Sequence, residues 1–126
     1  TGHSVSFVGN VHEGPHALNG RNTTLMRPGM IVTDEPGVYE TDLVGIRIEN
    51  ELVCVHKADN QYGTFLGFEP IMFVPIATSP IVPGVLTKDE LDWLNNYHRQ
   101  VFEKLAPRLN DEEREWLAKK CAAIGC

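Results

Sequence analysis

Residues 34–50, DEPGVYETDLVGIRIEN, carry the strongest constraint on how this chain can fold. Two strand-like runs flank Glu40-Thr41-Asp42, and Pro36-Gly37 interrupts the first of them. A hairpin turning about Asp42 opposes residues whose numbers add to 84, so Glu35 faces Glu49 and Gly37 faces Arg47. Opposed Cβ atoms lie about 4.5–5.5 Å apart, and like charges placed there repel. A bound cation would offset that cost. Arg47 shares a face with Glu49 and is placed to steady a ligating carboxylate. The register assumes that Pro36-Gly37 introduces no bulge.

Around this hairpin the pattern is strand-like first and helical last. Residues 3–12, HSVSFVGNVH, alternate as a strand, with His3, Val5 and Phe7 on one face. Residues 13–29 are rich in Gly, Pro and Asn and read as a loop. Residues 30–33 begin a short strand, 43–55 form a longer β-branched one, 57–64 a polar loop, and 65–76 an extended strand. Residues 77–86 form a Pro-containing connector. Thr87 and Glu90 then fit a capping box, followed by Leu91, Leu94, Val101 and Leu105 at near-helical spacing. Pro107 ends that helix, and Asn110 caps a second with Trp116, Leu117, Cys121 and Ile124 as its stripe. The expected class is α+β: a sheet-bearing part over 1–76 and a helical extension of the same domain over 77–126.

Composition narrows the function classes. The chain has 126 residues, with 11 basic and 17 acidic side chains, for a net charge of −6. That balance argues against nucleic acid or an anionic membrane as partner. No apolar run approaches the roughly 18 residues of a membrane span. Cys54, Cys121 and Cys126 are odd in number and lack CxxC spacing, so neither a disulfide framework nor a zinc knuckle is indicated, and a reducing cytoplasm is expected. The chain opens without Met or a visible signal peptide, directly on a strand-like run, and reads as a piece of something longer.

His3, at the start of the strand-like run that His12 ends, is a neutral-imidazole ligand candidate, and two carboxylates with a histidine make a hard-leaning site suited to manganese, iron, cobalt or zinc. Spacing alone leaves bland alternatives open: a strand histidine at the surface, and solvated hairpin glutamates. Cys54 reads as core; His16, His56 and His98 as surface; Glu69 as a strand-end carboxylate. Trp93, Tyr97 and Trp116 read as packing or interface aromatics.

In order, GH-x8-HEGP, PGMIVTDEPG-x-Y and GIRIEN resemble the catalytic half of the pita-bread-fold metallopeptidases, and within them the X-Pro aminopeptidases (aminopeptidase P). FLGFEPIMFVPI followed by LTKDELDWLNNYH resembles the C-terminal extension of the eukaryotic cytosolic type. The resemblance implies a curved antiparallel sheet followed by two helices, two divalent metal ions (manganese first, zinc or cobalt as alternatives), and removal of the N-terminal residue from peptides with proline at the second position. It implies metal-ligand roles for His3, Glu35 and Glu49, with Glu35 also the general base. His12 would position the scissile peptide and shuttle protons, with Arg47 and Tyr39 in support. It further implies a homodimer and two aspartate ligands from an upstream segment that this chain does not contain. Ser4 and Ser6 stand where the family pattern has glycines. The rivals are a proline dipeptidase or methionine aminopeptidase of the same fold, and, in another class, a non-catalytic peptide-binding module.

Overall fold

The computed structural model describes residues 1–125, so Cys126 lies outside the described residues. It has two compact units, Thr1–Met72 and Phe73 onward. The first holds β1 (Ile31–Asp34), β2 (Gly37–Glu40), β3 (Val44–Arg47), β4 (Asn50–Asn60) and β5 (Gly63–Pro70). These form a three-stranded antiparallel sheet ordered β1-β4-β5 and a two-stranded ribbon, β2-β3. The second holds α1 (Lys88–Leu105), a 3-10 turn and α2 (Asp111–Lys120).

The hairpin register about Asp42 is as the sequence predicts. Gly37 pairs with Arg47 in the ribbon, and further along Asp34 pairs with Asn50, so both ladders keep the same register. Asp42 takes φ 57°, a left-handed value that aspartate tolerates in turns. The ladders are separated by a short unpaired gap at Glu35-Pro36 and Ile48-Glu49. Pro36 has no N–H to give, but its carbonyl accepts from Ile48 N–H at 3.3 Å and carries the register across. The expected single strand over 43–55 is therefore two.

Three other expectations fail locally. Residues 3–12 are not a strand: His3 and Ser4 make isolated bridges to Ala17 and Val32, and the chain then loops. Side chains capture the backbone there, Ser6 Oγ accepting from Gly9 N–H at 2.7 Å and Glu13 Oε2 from Asn10 N–H at 3.1 Å. Residues 57–64 are not a loop; the strands continue to a two-residue turn at Gln61-Tyr62, tightened by Tyr62 N–H on Asn60 Oδ1 at 2.8 Å. The strand over 65–76 stops at Pro70.

The helical unit follows its caps. Thr87 Oγ1 accepts from Glu90 N–H, and Glu90 Oε2 accepts from Thr87 N–H at 2.8 Å. Asn110 and Glu113 repeat the device on α2. Tyr97, Val101 and Leu117 form the core, with Phe73, Ile76, Phe102, Leu105, Leu109 and Cys121 packed on it. Of the expected α2 stripe only Leu117 is buried within the helix; α2 stops at Lys120, before Cys121 and Ile124. Ile124 is instead clamped by Asn95, which exchanges two hydrogen bonds of 3.0 Å with its backbone. Residues 73–76 belong with the helices because Tyr97 Oη bonds Val74 and His98 Nε2 accepts from Ile76 N–H at 3.0 Å.

His98 is a correction: it is 0% exposed, not a surface residue. It continues the stripe of Leu91, Leu94 and Val101 at helical spacing. Burial pushes its imidazole below the ordinary value of about 6.5. Nε2 accepts, so protonating it would sacrifice the Ile76 bond. The unfolded chain then binds more protons than the folded one at acid pH. The stability His98 confers is present above about pH 6.5 and lost as pH falls through its depressed folded value. Denaturant titrations of the intact protein at pH 7.5 and 5.5 should show an acid-side loss that His98→Gln reduces, since Gln can accept from Ile76 without titrating.

Candidate metal centre

His3 and Glu35 are brought together by backbone pairing. Residues 1–4 lie antiparallel along β1: Thr33 N–H donates to His3 O at 2.8 Å, and Glu35 N–H to Thr1 O at 2.9 Å. On the other side, Leu18 N–H donates to Gly2 O at 3.0 Å. Gly2 is required by this approach, since a Cβ there would stand 1.7 Å from Thr33 O. Gly2→Ala must push the segment off β1. The expected cost is about 3 kcal/mol, the upper end for overpacking, read as a lower thermal midpoint by calorimetry of the intact protein.

The result is a compact polar cluster. His3 Nε2 lies 3.0 Å from Glu35 Oε1, with the two side chains 22% and 15% exposed. His3 Nδ1 lies 3.0 Å from Ser4 O. A carbonyl only accepts, so Nδ1 carries a proton, and in the neutral tautomer this selects the Nε2 lone pair faces the carboxylate. Two lone pairs facing one another need a proton or a cation between them. A separation of 3.0 Å also matches two donors held at right angles by one ion at about 2.1 Å. The donor set thus fits a divalent metal, with Ser4 O orienting the histidine as supporting groups do in such sites.

Arg47 grips the other carboxylate oxygen. Its Nη1 contacts Glu35 Oε2 and donates to Glu35 O at 3.0 Å, while Nε donates to Tyr39 Oη at 2.8 Å. The Tyr39 contact, and then the charges of Glu35 and Glu49, hold the guanidinium pKa above its ordinary value. Tyr39 reaches Arg47 because glycines leave room for its ring: a Cβ at Gly37 would stand 2.7 Å from the Tyr39 hydroxyl, and one at Gly45 3.0 Å from the ring.

The remaining candidates sit close by. His12 is exposed, its ring edge-on to His3 with centroids 4.3 Å apart and planes at 88°. Glu49 is exposed in the gap opposite Glu35. Among the described residues no three His, Cys, Asp or Glu side chains gather into a metal-binding group, so the chain presents the His3–Glu35 pair without Glu49 closing on it. Sequence reasoning missed Thr33, which is 2% exposed and donates from Oγ1 to Glu35 Oε1 at 2.9 Å. Its position two residues before Glu35, on the same strand face, was the available signal.

The other histidines stay apart: His16 Nε2 meets Ile31 O at 2.7 Å, and exposed His56 meets Asp59 at 2.8 Å. Cys54 is buried as expected, and Cys54 and Cys121 are both free. Glu69 pairs with Lys57 at 2.7 Å. Among the described residues no helix is long and apolar enough to cross a membrane.

Comparison with known proteins places these residues in a family context. The profile of metallopeptidase family M24 matches residues 1–56, and that of the C-terminal region of peptidase M24 matches residues 64–124. Aminopeptidase P2 of Arabidopsis thaliana is 46% identical over 93% of this chain, and a probable Xaa-Pro aminopeptidase P of Coprinopsis cinerea 41% identical over 98%. These matches cover 17% and 21% of the relatives, so the chain spans about a fifth of their length. A crystal structure of an X-prolyl aminopeptidase from Caenorhabditis elegans, described as a cytosolic enzyme with a di-nuclear active site, superposes with a TM-score of 0.84. It is 38% identical, over 98% of this chain and 21% of that one.

Proposed function

Because the chain belongs to metallopeptidase family M24, we propose that it is the C-terminal part of the catalytic domain of an X-Pro aminopeptidase. The observation that carries this reading is the His3–Glu35 donor edge, 3.0 Å across, in a chain whose relatives are aminopeptidases P. His3 and Glu35 would hold a divalent ion, manganese before zinc or cobalt. Glu49 would reach a second ion, and two aspartates from the protein outside this chain would complete the set. When bound, the ions supply Lewis-acid polarisation of the scissile carbonyl and activation of water.

The chain's own groups do the rest. Arg47 holds the Glu35 carboxylate in place, and Glu35 would accept the proton of the attacking water and pass it toward the proline nitrogen. Tyr39 steadies Arg47. His12, beside His3 and open to solvent, would meet the scissile peptide. The reading includes a cytoplasmic enzyme that pairs with a second copy, with the helical tail, where Trp93 and Trp116 are 61% and 56% exposed, near the interface.

The test is hydrolysis of Arg-Pro-Pro by the intact protein, stripped of metal and then reloaded with manganese, zinc or cobalt. Metal-dependent release of arginine is expected, and Glu49→Gln should abolish it. Cleavage confined to dipeptides would indicate a proline dipeptidase. Absence of both turnover and metal uptake would indicate a binding module.

A further inference from the structure

We propose that Thr33 is a positioning residue of this site, its hydroxyl fixing the plane of the Glu35 carboxylate so that Oε1 faces His3. The hydroxyl has one proton and two lone pairs. One lone pair is taken by His3 N–H at 3.0 Å. The proton has two candidate acceptors, Glu35 Oε1 at 2.9 Å and His3 O at 3.5 Å. His3 O already receives Thr33 N–H at 2.8 Å, and 3.5 Å is a poor hydrogen bond. The proton therefore goes to Glu35.

This matters because a single anchor does not orient a carboxylate. Arg47 alone would hold Oε2 and leave the group free to turn about its terminal bond, which has a broad torsional well. A donor on each oxygen fixes the plane. Thr33 also receives the amide of the residue that carries the facing imidazole. One buried hydroxyl thus ties the backbone of His3 to the side chain of Glu35, and the two donors move as a unit. The serine at position 4 contributes nothing comparable: its Oγ is buried without a partner among the described residues.

The inference rests on reading His3 and Glu35 as metal donors, and the experiment separates the two. In the full-length protein, Thr33→Val keeps the shape and removes the hydroxyl, while Thr33→Ser keeps the hydroxyl. Two quantities are measured: manganese affinity by calorimetric titration, and hydrogen exchange of the peptide carrying His3, with circular dichroism confirming the fold. Thr33→Val should lose about 10–100-fold in manganese affinity, the usual cost of removing a group that orients a ligand, and lose protection at His3. Thr33→Ser should stay within about threefold of wild type in affinity and keep the protection. A folded Thr33→Val protein with wild-type affinity, or equal weakening of both variants, overturns the proposal. If the wild type itself takes up no manganese, the metal reading falls, and exchange at His3 then decides on Thr33: loss of protection in the Val variant alone supports the tie, and unchanged protection overturns it.

Discussion

Glu35→Gln in the intact protein is expected to keep its fold and lose about 10²–10⁴-fold in kcat/KM on Arg-Pro-Pro. The substitution removes a charge from between Arg47 and His3, yet most of the hydrogen bonds can be remade. The new amide oxygen can accept from Arg47 in place of Oε2. Its NH₂ can donate to His3 Nε2, whose lone pair is free because Nδ1 carries the proton toward Ser4 O. The Thr33 hydroxyl is left with only the poor contact to His3 O, 3.5 Å away. The cluster keeps most of its contacts but leaves Arg47 without its carboxylate and Thr33 without its acceptor, so a cost of about 1–3 kcal/mol is expected, read as a thermal midpoint lowered by a few degrees. What is lost is the anion that would bind metal and the oxygen that would take a proton. Turnover above a tenth of wild type would remove Glu35 from the reaction. A collapsed midpoint with normal metal content would show instead that Glu35 is mainly a structural anchor for Arg47.

The same residues show how far the sequence could be read. The hairpin register was legible because pairing about one turn is a counting rule, and it survived the missing Pro36 donor. Both helix starts were legible because a capping box is a local hydrogen-bond exchange. The loop after Ser4 was not, because alternation in residues 3–12 says nothing about Ser6 and Glu13 capturing backbone amides. His98 was misplaced because its residue type outweighed its position in the α1 stripe. At the site, pattern and resemblance named His3, Glu35, Arg47 and Tyr39, and placed Arg47 to steady a carboxylate, but did not show the tie between His3 and Glu35. That tie runs through Thr33 and Gly2, whose roles depend on residues 1–4 lying against β1, a contact between segments some thirty positions apart.

His12→Ala should separate a substrate-facing histidine from a metal ligand. His3 has both nitrogens committed, Nδ1 to Ser4 O and Nε2 to Glu35. His12 is exposed, and its ring packs edge to face on the His3 ring. Its nitrogens are therefore available to a bound peptide. Removing them should cost about 10²–10⁴-fold in rate, the worth of a positioned proton-transfer group. The metal should stay. Edge-to-face aromatic contacts contribute about 0.5–1.5 kcal/mol, so losing the brace on His3 could weaken metal binding by at most about tenfold. His3→Ala, by contrast, removes a donor and should leave the intact protein short of metal as well as inactive. The measurements are metal content by elemental analysis and turnover of Arg-Pro-Pro under saturating manganese. A metal-free His12→Ala protein, or one whose activity returns fully with added manganese, would make His12 a ligand rather than a shuttle.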